Sequence, residues 1–194
     1  GLYIFDSKMQ QEVYHAAHDK SNPTKVQLSH NSVFDILMDR QGRMWIGTFG
    51  GGLNLAVPSG KQYVFTRFFH NQGNMSYVRC LVQDRKDRIW VGTSDGIVRF
   101  NPDELIHDPK AFKRYCRSLS DDNSLSNNDV KTIFEDKEGT IWIGTAGGGL
   151  NKFDESDESF KSFTSRDGIS DDVISGIQED NSKNLWISSE NGIT

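Results

Sequence analysis

Three observations predict an all-β chain, a propeller assembled from repeated four-stranded antiparallel blades. All four tryptophans of the 194 residues stand in one recurring phrase: Met44-Trp45-Ile46-Gly47-Thr48, Ile89-Trp90-Val91-Gly92-Thr93, Ile141-Trp142-Ile143-Gly144-Thr145 and Leu185-Trp186-Ile187-Ser188-Ser189. They are 45, 52 and 44 residues apart, and a period in the forties with strand-like content marks a radial or solenoid array. Each period also holds four strand-like pieces separated by turn residues, which is the content of a propeller blade. About four repeats of 43–53 residues result.

The first strand of each repeat is an alternating run, as in Val33-Phe34-Asp35-Ile36-Leu37-Met38, Val78 to Gln83, Val130 to Glu135 and Ile174 to Glu179. An aspartate ends each run, Asp39, Asp84, Asp136 and Asp180, always six residues before the tryptophan. The turn between them reads Asp39-Arg40-Gln41-Gly42 or Asp136-Lys137-Glu138-Gly139. An Asp that bonds its own backbone, followed by a Gly free to take positive φ, is hairpin chemistry. Asp87 and Lys183 replace that glycine in the other two repeats. The second strand carries the tryptophan, expected to fill the wedge between adjacent blades, with Gly-Thr letting the chain turn.

A glycine-apolar pair opens the third strand: Gly1-Leu2, Gly52-Leu53, Gly96-Ile97, Gly149-Leu150 and Gly192-Ile193. The fourth strand is aromatic, as in Tyr63 to Phe69 and Phe160-Lys161-Ser162-Phe163. An apolar-Ser pair then precedes the next repeat: Leu28-Ser29, Met75-Ser76, Leu125-Ser126 and Ile169-Ser170. No segment keeps a 3.6-residue apolar rhythm for three turns, so helical repeats fit worse.

Composition narrows the function classes. Net charge is −5, which argues against a nucleic-acid footprint, since that needs a basic stripe. No apolar run has membrane-span length, and the opening Gly1-Leu2-Tyr3-Ile4-Phe5-Asp6 is not a signal peptide. Cys80 and Cys116 lack metal-ligand spacing and read as buried thiols or a pair. The histidines His15, His18, His30, His70 and His107 are scattered, and no Asp-x-Asp-x-Asp-Gly spacing occurs, so no metal and no cofactor is expected. The glycine triplets Gly50-Gly51-Gly52 and Gly147-Gly148-Gly149 precede no helix and are not phosphate cradles. The acidic stretch Asp154-Glu155-Ser156-Asp157-Glu158 reads as a solvated hairpin.

The combined pattern closely resembles the two-component regulator propeller repeat, most completely from Asp136 through Phe153 (DKEGTIWIGTAGGGLNKF). The fourth repeat departs, with Ser188-Ser189 for Gly-Thr. The resemblance implies a sensing ectodomain of a bacterial hybrid two-component histidine kinase. That is a periplasmic array of blades, often fourteen in two rings, followed by an immunoglobulin-like domain, a membrane helix and kinase modules. Such ectodomains are similar to receptors for glycan fragments that switch on polysaccharide-use genes. Kinase catalysis and membrane attachment would then belong to other parts of the parent, and this segment would be no enzyme. The sialidase Asp-box is a weaker match, because its aspartate stands five residues before the tryptophan rather than six.

By strand content the segment divides into the last strands of one blade (1–28), whole blades at 29–72, 73–119 and 124–166, and the first strands of another (169–194). A half blade leaves a sheet edge unpaired. Either neighbouring blades of a longer protein complete the ring, or strands between Leu2 and His15 pair with those from Ile174 to Ser188. That pairing would occur within one chain or, preferably, between two, as a self-associated dimer.

Inter-blade loops and the loops joining second to third strands are expected to gather on one propeller face. Their amides, carboxylates and aromatics suit an oligosaccharide, hydrogen bonds meeting hydroxyls and a ring meeting the apolar sugar face. Residues specific to one repeat are the candidates: His30, Asn31, Phe49, Tyr77, Asp95, Asn128, Asp172 and Glu190. The repeated Trp45, Trp90, Trp142, Trp186, Asp39, Asp84, Asp136 and Asp180 are structural. The competing functions are a non-catalytic platform for protein contacts and, behind it, a propeller lyase or hydrolase, which would need a convergent acid–base pair.

Overall fold

The computed structural model describes residues 1–5, 12–19, 21, 27–60 and 62–193. Its strands are β1 (Leu2–Phe5), β2 (Glu12–Ala16), β3 (Val33–Met38), β4 (Met44–Thr48), β5 (Gly52–Ser59), β6 (Gln62–Phe68), β7 (Val78–Gln83), β8 (Ile89–Thr93), β9 (Gly96–Phe100), β10 (Lys113–Tyr115), β11 (Val130–Glu135), β12 (Ile141–Thr145), β13 (Leu150–Asp154), β14 (Ser159–Phe163), β15 (Ile174–Glu179), β16 (Leu185–Ser189) and β17 (Gly192–Ile193). They form antiparallel sheets β1-β2, β3-β4-β5-β6, β7-β8-β9-β10, β11-β12-β13-β14 and β15-β16-β17. These are the predicted blades of a β-propeller. The strands expected within 2–15 pair with each other, as do those within 174–188; residues 6–11 lie outside the described residues. Two compact units are present, Gly1–Val78 and Arg79–Thr194.

In the N-terminal unit, Leu2 and Ala16 pack on Leu28, Ile46, Ala56 and Phe65, so the β1-β2 pair covers part of the β3–β6 sheet. In the C-terminal unit, Trp90 stacks on Tyr115 at 6.2 Å and meets Phe153 edge-on at 5.0 Å, between two blades as predicted. Trp142 packs likewise against the cluster of Leu150, Ile174, Ile177 and Ile187. A short α-helix, α1 (Pro102–His107), is capped by Asn101, whose side chain accepts from the Asp103 and Glu104 N–H groups. It lies in the connection between β9 and β10, within the longest interval between tryptophans.

The aspartate six residues before each tryptophan has a second role that its spacing did not reveal. Its Oδ2 accepts the indole N–H, at 2.9 Å for Asp39–Trp45, 2.8 Å for Asp84–Trp90, 2.8 Å for Asp136–Trp142 and 3.1 Å for Asp180–Trp186. The other oxygen accepts two backbone N–H groups of the hairpin, as in Asp136 with Glu138 at 2.9 Å and Thr140 at 2.8 Å. One carboxylate thus closes the turn and satisfies an indole donor that is costly to bury alone. The hairpin residues take positive φ as expected, Gly42 at 79° and Gly139 at 90°, and so do their substitutes Asp87 at 61° and Lys183 at 67°.

The Gly-Thr pair does not act as a simple turn. Gly47 and Gly144 lie within strands, where a Cβ would come within 2.6 Å of Val78 and 2.7 Å of Ile174, the residues that open the following first strands. The threonine closes the turn instead: Thr48 donates to the Gly52 carbonyl at 2.8 Å and Thr145 to that of Gly149 at 3.1 Å. The apolar-Ser pair also has a latch, as the Asn151 side chain accepts from the Ser126 N–H and donates to its hydroxyl at 2.8 Å.

The acidic hairpin is not merely solvated. Glu155 pairs with Arg88 at 2.5 Å, and Glu158, at φ 59°, is held by Arg99 at 2.7 Å, by Lys113 and by the Tyr115 hydroxyl at 3.2 Å. Two of its carboxylates therefore tie β13-β14 to the β7–β10 blade. The strained backbone at Glu158 persists because its partners hold it there.

These carboxylates give stability an acid limit. The Arg88 guanidinium draws Glu155 down to about 2. The Asn184 side chain and backbone, with the Trp186 indole, hold Asp180 at about 2. Burial opposes charge at Asp39 and Asp136, but the indole and backbone donors outweigh it and both lie below the usual range. A carboxylate depressed in the folded state contributes stability above its unfolded pKa, roughly 4, and loses it as pH falls through the folded value. The melting midpoint should therefore stay level from pH 7 to about 5 and fall steeply between about 4 and 2. A midpoint unchanged down to pH 2 would show that these contacts contribute nothing.

Candidate ligand-binding site

The predicted loops do gather. In the N-terminal unit Phe49, after β4, forms an isolated bridge with Tyr77, before β7. Ala146 bridges Val173 in the same way in the C-terminal unit. Backbone bonds reinforce this, with the Gly50 N–H donating to the Ser76 carbonyl and the Gly147 N–H to that of Asp172, both at 2.9 Å.

The candidates of the N-terminal unit converge on an aromatic cluster. Phe49 meets the Tyr77 ring at 4.6 Å and stacks on Phe34 at 4.9 Å with 24° between planes. His30 joins them: a Cβ on Gly50 would stand 3.8 Å from both the His30 and the Tyr77 rings. The His30 Nδ1 accepts the Ser32 N–H at 3.1 Å. Asn31 is exposed beside it, its side chain bonded to the His18 N–H at 2.7 Å and to the His18 carbonyl at 3.2 Å.

The remaining candidates do not form a second such cluster. Asp95 pairs with Arg114 at 2.5 Å, while its carbonyl takes two more bonds from that guanidinium. Asn128 accepts the Arg117 N–H at 2.6 Å. Asp172 accepts the Ser165 N–H at 2.6 Å, and its carbonyl binds the Gly147 and Gly149 N–H groups. Glu190 is exposed on the loop before β17. These three bonded side chains shape their loops. Cys80 and Cys116 form no disulfide, and burial pushes the Cys116 thiol up despite nearby Arg114.

In the N-terminal unit Phe34, absent from the predicted set, also stands at this cluster, against Phe49. The first strands are bulged, with register shifts between Val33 and Asp35, Val130 and Thr132, and Ile174 and Gly176. The residues left without a ladder partner are Phe34, Lys131 and Ser175. Arg79 holds the corresponding position in β7 and pairs with Asp129 at 2.9 Å. A bulge re-aims a side chain and is over-represented beside functional sites. The alternation of apolar residues in sequence carries no mark of it. A cleft of the C-terminal unit, about 790 Å³, lies elsewhere, along β13 and β14 among Asp122, Lys152, Asp154 and Lys161. It contains none of the loop candidates, and its open, charged rim lacks the enclosed apolar lining of a small-molecule site. Among the described residues no group of three or more His, Cys, Asp or Glu is placed to hold a metal, and no helix is long and apolar enough to cross a membrane.

Comparison with known proteins places this geometry. The family described as Two component regulator propeller matches residues 27–50, 62–95, 124–147 and 168–191. The whole chain superposes on the extracellular domain of the hybrid two component system BT3049 from B. thetaiotaomicron, with TM-score 0.77 and 28% identity. It also superposes on that of BT4673 from the same organism, with TM-score 0.69 and 19% identity. The chain spans 24% of the first and 33% of the second. Virginiamycin B lyase from Staphylococcus aureus is similar over 84% of the chain and 54% of the lyase, at TM-score 0.59 and 16% identity, a likeness of fold alone. No curated protein matches the sequence.

Proposed function

The chain belongs to the two-component regulator propeller family, and from that membership we propose that it is a non-catalytic, ligand-sensing segment of the extracytoplasmic propeller of a hybrid two-component sensor histidine kinase. It responds to a glycan or oligosaccharide, and the parent relays occupancy to transcription of polysaccharide-use genes. The extracellular domains to which the chain is similar support a site on the outer side of a bacterial inner membrane. Signalling in this reading proceeds through changes in how blades or protomers pack.

The observation that carries the ligand reading is the cluster of His30, Phe49 and Tyr77, where aromatic rings and hydrogen-bonding groups meet at the loops. Carbohydrate recognition combines these two elements, a ring against C–H groups and polar atoms against hydroxyls. The polar atom nearest these rings, the His30 Nδ1, is committed to the Ser32 N–H, which suits shaping a site better than proton transfer.

The test is calorimetric titration of the 194-residue chain with hexasaccharides of several linkages, beside a search for new sugar products. Heat from at least one sugar, weakened in Tyr77→Ala and without product formation, is the expected result. Silence from every sugar would leave the protein-contact platform as the better reading, and sugar cleavage would favour an enzyme.

A further inference from the structure

We propose that Phe34, displayed by the bulge in β3, is the ring on which the sugar stacks, with Phe49 and Tyr77 positioning it. This rests on the glycan-sensing reading and adds a residue and a ligand class. The class is a neutral pyranose unit whose C–H groups lie together on one face.

The argument begins with the backbone. Val33 is paired with Thr48 and Asp35 with Gly47, so Phe34 is the extra residue and takes no place in the ladder. The same position is released in β11 and β15, where Lys131 and Ser175 occupy it. The blade therefore tolerates a phenyl ring, a cation or a hydroxyl there without altering its register. A position the fold leaves open is where repeats can differ for recognition. In β3 the occupant is a phenylalanine stacked on Phe49 with 54% of its surface still exposed, an open ring beside the loop cluster.

The neighbours select the ligand. Phe49 is half-buried between Phe34 and Tyr77, which leaves Phe34 the outermost ring of the stack. With Nδ1 of His30 accepting the Ser32 N–H, the neutral imidazole carries its proton on Nε2, the atom that would stand 3.8 Å from a Gly50 Cβ, as would the Tyr77 ring. A donor and a phenol thus border the platform, with the exposed Asn31 nearby. Ile36 and Met38 are also exposed on β3, but they sit in the regular ladder opposite Ile46 and Met44. A protein docked along the strand would use all three residues, whereas a stacked sugar needs only the ring.

The experiment titrates the native chain and the variants Phe34→Ala, Phe34→Trp and Met38→Ser with cellohexaose, xylohexaose, mannohexaose and a galactan hexamer. All four proteins should melt alike, because both positions are exposed. For the sugar that binds, Phe34→Ala should weaken affinity about 5–10-fold, Phe34→Trp should retain it and Met38→Ser should leave it unchanged. Equal affinity in Phe34→Ala would overturn the assignment while leaving the glycan reading intact, and an equal loss in Met38→Ser would point to a strand-wide protein surface. Absence of binding by the native chain would overturn both.

Discussion

Replacing Trp90 with alanine is expected to destabilise the C-terminal unit by about 4 kcal/mol, whereas Trp186→Ala should cost less than about 1 kcal/mol. The two residues occupy the same place in the same phrase, so sequence alone offers no reason for a difference. Trp90 is fully buried and Trp186 is 54% exposed. The Trp90 ring lies against Tyr115 and Phe153, with the Arg88 and Arg99 guanidinium groups 5.6 and 5.4 Å from its centroid. Truncation opens a cavity between two blades whose walls are strands in ladders, so little collapse can follow. It also leaves one oxygen of the buried Asp84 without its indole donor, although Arg88 still pairs with that oxygen at 2.7 Å. Trp186 makes the matching bond to Asp180 at 3.1 Å, but at the surface water replaces the lost donor. Urea denaturation of both variants decides the matter, and equal losses would mean that burial between blades is not what stabilises the phrase.

That contrast marks what the sequence makes legible. Strand order, hairpin turns and the two loop sets follow from local chemistry, because an Asp-to-Gly turn or a Gly-apolar start acts within a few residues. Long-range partners leave no such trace. The glycine in Trp-Ile-Gly-Thr reads as a turn former, yet Gly144 is small because Ile174 arrives from the next blade. The run from Asp154 to Glu158 reads as a solvated hairpin, while Glu155 and Glu158 find Arg88 and Arg99 only once the blades pack. The same limit applies to the candidate site. His30, Phe49 and Tyr77 could be named from loop position, since each is peculiar to one repeat. Phe34 could not, because in sequence it sits inside an apolar strand, and only the register shift between Val33 and Asp35 sets it apart. The α1 helix is a different kind of omission: Asn101-Pro102-Asp103-Glu104 carries a readable cap, but a helix of six residues is too short to show an apolar rhythm over three turns.

Gly149→Ala is expected to cost about 3 kcal/mol or more, through two effects that Gly168→Ala separates. Gly149 has φ 70°, a region that an L side chain enters at a cost of about 1–2 kcal/mol. Gly168 has φ 101° and would incur a comparable backbone cost. The difference is space. A Cβ at Gly168 meets nothing within 4 Å, whereas at Gly149 it would fall 2.0 Å from the Phe163 carbonyl oxygen. That oxygen belongs to the neighbouring strand, where Phe163 is paired with Leu150, so β14 must move away from β13. The Gly149 N–H also donates to the Asp172 carbonyl at 2.8 Å, and its own carbonyl accepts the Thr145 hydroxyl at 3.1 Å. Displacing the strand therefore loosens the loop that Asp172 and Ala146 share. Thermal denaturation should place Gly168→Ala modestly below the native chain, by its backbone strain alone, and Gly149→Ala well below both. Faster amide exchange at Gly147 and Gly149 would be confined to the second variant. If the two alanines cost the same, backbone strain alone governs these glycines, and the close approach of β14 to the opening of the third strand contributes nothing.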